Sequence, residues 1–75
     1  MNSDGMTDTA LNLLINQQAH RLPAGSTLQD AIDLIGLKPP FAAAVNLEFV
    51  PRGQYAQRVL VDGDRIELIA PVTGG

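Results

Sequence analysis

The chain has no cysteine and one histidine in 75 residues. It can therefore supply no thiol nucleophile, no thiolate metal ligand and no disulfide. A reducing compartment, the cytoplasm, is its expected home. A cysteine–histidine catalytic pair is excluded, and carboxylates fall at no recognisable metal-ligand spacing around His20, so no metal is expected. On a short strand His20 reads as a surface or rim residue. Basic residues are also scarce, five against eight acidic, for a net charge of −3. They form no stripe, which argues against a nucleic-acid partner. No apolar run approaches the ~20 residues of a membrane span. Met1, Asn2, Ser3, Asp4, Gly5 and Met6 hold neither the basic nor the apolar region of a signal peptide. No glycine-rich loop precedes a helix, so the common phosphate cradles are missing. A chain of this length buries only about 60% of its unfolded surface. It has room for one helix on one sheet, with none for a cofactor domain beside a substrate domain. It reads as no enzyme in its own right, with no cofactor bound.

What is present favours a folded globule: 45% hydrophobic and 17% charged residues. Residues 1–9 are small and polar and read as a frayed leader. Residues 10–16 read as a strand, with Leu11, Leu13 and Ile15 at period two and Leu14 on the other face. Asn16, Gln17 and Gln18 make a polar turn into a short strand over 19–22. A helix follows, with Leu28, Ala31, Ile32 and Ile35 on one apolar stripe. Ser26 or Thr27 can cap its start, and Gly36 suits its left-handed end. Residues 41–46 form a further strand, with Phe41, Ala43 and Val45 on one face. Leu47 and Glu48 make a turn, and Phe49 and Val50 a brief extended piece that Pro51 confines to an edge. Tyr55 and Ala56, in an irregular segment, are available for the core. Asp62-Gly63-Asp64 reads as a tight turn into a final strand over 65–69. On that strand Ile66 and Leu68 face one way, Glu67 and Ile69 the other. The expected fold is α+β, a β-grasp with a mixed sheet of four to five strands and the helix across one face. The last strand should lie centrally beside the first. The domain should span residues 10–71, with 72–75 as a flexible tail.

That tail begins after Pro71 and runs Val72, Thr73, Gly74 and Gly75. Two residues without side chains can enter a slot too narrow for any Cβ. They deliver an α-carboxylate, ionised at neutral pH with a pKa of about 3.3–3.7. A carboxylate is a poor electrophile and a competent nucleophile toward the α-phosphorus of ATP. The resulting acyl-adenylate would be open to a sulfur nucleophile or to a lysine. Either step needs an active site elsewhere. Such a tail binds weakly by itself, because ordering about four residues costs roughly 4–8 kcal/mol. A second contact on the globular face is expected, with Ile69 as its centre and Leu14 extending it. Pro71, Val72 and Thr73 would be gripped along the stalk. The bland alternative is that the two glycines carry no role.

Val45-Asn46, Val50-Pro51-Arg52, Tyr55-Ala56, Asp62-Gly63-Asp64-Arg65-Ile66-Glu67 and Gly74-Gly75 together resemble the sulfur carrier proteins of thiamine biosynthesis, the ThiS family. Asn16, Ala24-Gly25 and Thr27 fit the same pattern, and the resemblance spans roughly residues 10–75. It implies the ubiquitin-like β-grasp fold. It implies that a ThiF-type adenylating enzyme activates Gly75 with ATP and magnesium, which that partner consumes. The carboxylate would become a thiocarboxylate, with sulfur from a desulfurase or a rhodanese-like protein, and thiazole synthase would receive it. Gly75 is the reacting residue and Gly74 its stalk. The chain departs from the family in having Leu47 where glycine or a polar residue is common, and Tyr55 where tryptophan is expected. The ending also resembles the small subunit of molybdopterin synthase, which uses the same chemistry. A ubiquitin-like protein modifier is the other alternative.

Overall fold

A computed structural model describes residues 10–71. The expected leader over 1–9 and tail over 72–75 lie outside the described residues. Five strands and one helix follow in order: β1 (Ala10–Ile15), β2 (Gln18–Pro23), α1 (Leu28–Ile35), β3 (Ala42–Val45), β4 (Glu48–Val50) and β5 (Arg65–Ile69). A 3-10 turn at Arg52–Gln54 lies between β4 and β5. The sheet order is β2-β1-β5-β3-β4. β5 runs parallel to β1, with Leu14 opposite Arg65, and antiparallel to β3, with Ala42 opposite Ile69. The last strand is thus central and beside the first, with Ile66 and Leu68 on the face the helix covers.

Period-two patterning decides which face is buried. Leu11, Leu13 and Ile15 of β1, Ile66 and Leu68 of β5, Ala43 and Val45 of β3, and Val50 of β4 form one side of the core. Leu28, Ala31 and Ile32 of α1 close it from above, and Tyr55 and Leu60 seal its margin. Two expectations need correction here. Ile35 is 37% exposed, because the helix ends beneath it, and Leu37 packs on the core instead after the chain reverses at Gly36. Gly36 adopts φ 77° and its N–H donates to the Ile32 carbonyl. Ala56 is exposed, since the 3-10 turn directs only Tyr55 inward.

The helix start is settled by Thr27. Its hydroxyl accepts from the Asp30 N–H, and the Asp30 carboxylate accepts from the Thr27 N–H at 2.9 Å. Ser26 instead donates its hydroxyl to the Pro23 carbonyl. The next helix N–H groups, of Leu28 and Gln29, donate to the carbonyls of Arg58 and Tyr55. Loop carbonyls thus occupy donors that would otherwise draw an anion to this end.

Both hairpins turn on an asparagine. Asn16 and Gln17 have φ of 51° and 70°, and Asn46 and Leu47 have 52° and 71°. Positive φ at both central residues is the two-residue turn whose twist matches that of the flanking strands. The second turn is therefore one residue earlier than Leu47 and Glu48, and Glu48 begins β4. The strand expected over 41–46 is likewise confined to Ala42–Val45.

Candidate functional site

The site is built from the end of β5 and the sheet face that the helix leaves open. Ile69, Ala70 and Pro71 are all exposed, so the chain leaves the sheet at the surface. Thr73, Val72, Gly74 and Gly75, the remaining residues assigned to the stalk, lie outside the described residues.

The start of β5 is fixed by side-chain amides and carboxylates. Asp64 is 5% exposed, and its two oxygens accept from the Asn46 Nδ2 and the Val61 N–H, both at 2.9 Å. The Asn46 Oδ1 accepts in turn from the Arg65 N–H. Asp62 accepts from both the backbone N–H and the Nδ2 of Asn12. Gly63, at φ 89°, makes the bend between them. The Asp62-Gly63-Asp64 segment is thus a turn whose carboxylates are spent on the chain's own donors. Among the described residues no group of three or more His, Asp or Glu could hold a metal ion.

The far end of β5 is held differently. Leu14 and Asn16 of the first hairpin donate backbone N–H groups to the carbonyls of Asp64 and Ile66. Leu68 is next in that phase, but β1 has already turned away. The Asn16 side chain takes its place: Oδ1 accepts from the Leu68 N–H at 2.8 Å, and Nδ2 donates to the Leu68 carbonyl at 3.2 Å.

On the open face, Ile69 is 60% exposed and Leu14 is 37% exposed. The parallel register sets them four residues apart along neighbouring strands, about 13 Å at ~3.3 Å per residue. Glu67 stands on the same face between them. These two residues therefore do not form one contiguous patch. Ile69 instead shares its side with Ala42, its partner on β3, and with Ala44 and Phe49, partners across β3 and β4. Phe49 is 66% exposed. Two alanines make a shallow floor between two large apolar side chains. The patterning signal for Phe49 was available: Val50 is buried, so its neighbour on a strand must face outward.

His20 is half-buried on the helix side of edge strand β2, opposite Leu13, and its Nε2 has no hydrogen-bond partner. The Val50-Pro51-Arg52 segment closes β4 and leads into the 3-10 turn. Arg52 stands exposed beside a cleft where Tyr55 stacks on Phe41, with ring centroids 5.9 Å apart. The one ion pair among the described residues, Arg58 with Glu48 at 3.9 Å, is too exposed to carry much energy.

A central β5 parallel to β1, one helix across one face, and an open face leading to the exposed end of β5 define a ubiquitin-like β-grasp domain. The solved structure of the thiamine biosynthesis protein ThiS from Geobacter metallireducens has the same fold. Its TM-score is 0.72 at 17% identity, covering 87% of this chain and 100% of that one. The ThiS family model matches residues 10–75. The sulfur carrier protein ThiS of Escherichia coli is 36% identical over 66 residues, 87% of this chain and the whole of the relative. The chain belongs to the ThiS family, whose members are small sulfur carriers of thiamine biosynthesis and not enzymes. A thiazole synthase of Paramagnetospirillum magneticum is 33% identical over 66 residues, which make up 87% of this chain and 20% of that longer protein. No helix among the described residues is long and apolar enough to cross a membrane.

Proposed function

We propose that the chain carries sulfur on the carboxylate of Gly75. The observation that carries this reading is the family match, which runs through Gly75 and covers the whole of the Escherichia coli carrier. A ThiF-type enzyme binds the domain and threads Gly74 and Gly75 into its ATP site. The carboxylate attacks the α-phosphorus of magnesium-bound ATP, the bond to pyrophosphate breaks, and an acyl-adenylate forms. The terminal sulfur of a persulfide on a desulfurase or rhodanese-like protein then displaces AMP, and a thiol reductant cleaves the resulting acyl disulfide, leaving a thiocarboxylate and a new disulfide. Thiazole synthase takes the sulfur.

The globular face contributes the affinity that the tail lacks. Ordering four tail residues costs roughly 4–8 kcal/mol, and backbone hydrogen bonds return only about 1 kcal/mol each. The patch of Ile69, Ala42, Ala44 and Phe49 lies beside the exit of the tail and supplies that second contact, with Pro71, Val72 and Thr73 gripped beyond it. Leu14 is a separate, more distant contact. Thazole-forming partnership is supported by the thiazole synthase that contains a similar segment in one chain. Joining two modules replaces a bimolecular encounter with a high effective concentration, which helps only modules that must meet.

The test is direct. The protein is incubated with the adenylating enzyme, ATP, magnesium and a sulfur source, and its intact mass is measured. The expected change is sulfur for oxygen at Gly75, absent from a variant lacking that residue. Lysine-linked adducts instead would identify a protein modifier. Sulfur transfer to a molybdopterin synthase large subunit, without rescue of thiamine auxotrophy, would place the chain in that other pathway.

A further inference from the structure

Asn16 is the hairpin residue whose side chain reaches furthest along the sequence, bonding Leu68 across 52 positions. Its backbone conformation and its side chain do two separable things. The left-handed φ of 51° makes the turn, which glycine would also make. The amide adds the second effect. It presents one acceptor and one donor to the Leu68 N–H and carbonyl, the pair that a further residue of β1 would have bonded. On the opposite edge of β5, pairing with β3 continues to Ile69 and Ala42. Without the amide, β5 would be held on both sides only as far as Ile66. With it, the two-sided grip reaches Leu68, next to the exposed Ile69, Ala70 and Pro71.

We infer that Asn16 is a positioning residue for the carrier reaction: its amide clamps the end of β5 and fixes the direction in which the chain leaves the domain. This rests on the proposed carrier function. The reacting carboxylate of Gly75 lies seven residues beyond Leu68. Loosening the base of that tail enlarges the volume its end explores and lowers its effective concentration in a partner's active site. Docking through Ile69 and Phe49 does not require the clamp. The clamp therefore acts on turnover more than on binding.

Asn46 provides a matched control. It occupies the equivalent position of the other hairpin, at φ 52°, but grips the start of β5 through Arg65 and Asp64. N16G and N46G both keep a turn-compatible residue and remove one amide. N16D keeps an acceptor for the Leu68 N–H and loses the donor. Three quantities are read on each: amide exchange at Leu68 relative to Ile66, Tm, and KM and kcat for adenylation. N16G is expected to raise Leu68 exchange at least tenfold and to lower kcat several-fold, with KM within about twofold. N46G is expected to lower Tm more than N16G while leaving Leu68 exchange and kcat near wild type. N16D should recover part of both the protection and the turnover. Unchanged Leu68 exchange or unchanged kcat in N16G, beside normal wild-type turnover, overturns the inference alone. So does an equal loss of kcat in N46G, which would reduce both effects to general stability. Wild-type protein that is never adenylated overturns the carrier reading and this inference with it.

Discussion

Replacing Ile69 and Phe49 together by alanine separates docking from folding. Fully burying a side chain of this size is worth about 1.5–3 kcal/mol. Ile69 is 60% exposed and Phe49 66% exposed, so most of that value is unrealised in the free domain. Covering them in a complex would contribute about 1–2 kcal/mol each. Alanine retains a Cβ, so the double variant should lose about 2–3 kcal/mol of binding, or roughly 30–150-fold in Kd at 1.4 kcal/mol per decade. Folding should suffer less, because only the minor, already buried share of each side chain is lost, together with some strand propensity. Titration calorimetry against the adenylating enzyme reads the first effect, and a thermal melt by circular dichroism reads the second. A Kd within about threefold of wild type would refute the docking assignment. A collapsed melting transition would show that the two side chains belong to the core. L14A supplies the internal contrast: Leu14 is 37% exposed and about 13 Å along the sheet from Ile69, so its loss should weaken binding less than I69A does.

Adding one alanine after Gly75 should abolish adenylation while leaving the melting curve unchanged, checked by intact mass and circular dichroism. Asp64→Ala removes two hydrogen bonds to a buried carboxylate, each worth about 1.5–3 kcal/mol before water returns to the freed donors. Its Tm should fall by roughly 10 °C or more at about 4–8 °C per kcal/mol. Thr27→Ala breaks the capping box and should cost about 1 kcal/mol in urea denaturation. Leu47→Gly should stabilise the domain. Leu47 is 79% exposed and held at φ 71°, a conformation costing about 1–2 kcal/mol outside glycine. Glycine adds only about 0.4–1 kcal/mol of unfolded-chain entropy in opposition. A lower midpoint for L47G would show that Leu47 makes contacts its exposure does not suggest.

The sequence by itself determined the alternation of Leu11, Leu13 and Ile15, the Ile66 and Leu68 phase, the helix beginning near Thr27 and the turn at Asp62-Gly63-Asp64. Each is a local pattern, set by the side-chain period or by turn chemistry within a few residues. It also carried the family likeness that points to Gly75. Tertiary structure decided what depends on distant register. It ended the helix too early to bury Ile35 and brought Leu37 back in its place. It separated Leu14 from Ile69, which a face assignment alone had put together, because both face outward but the parallel offset sets them four residues apart. It gathered Ile69, Ala42, Ala44 and Phe49 from three strands into one patch. It also joined Asn16 to Leu68, a bond that arises only because β1 pairing stops at Ile66, two residues before Leu68.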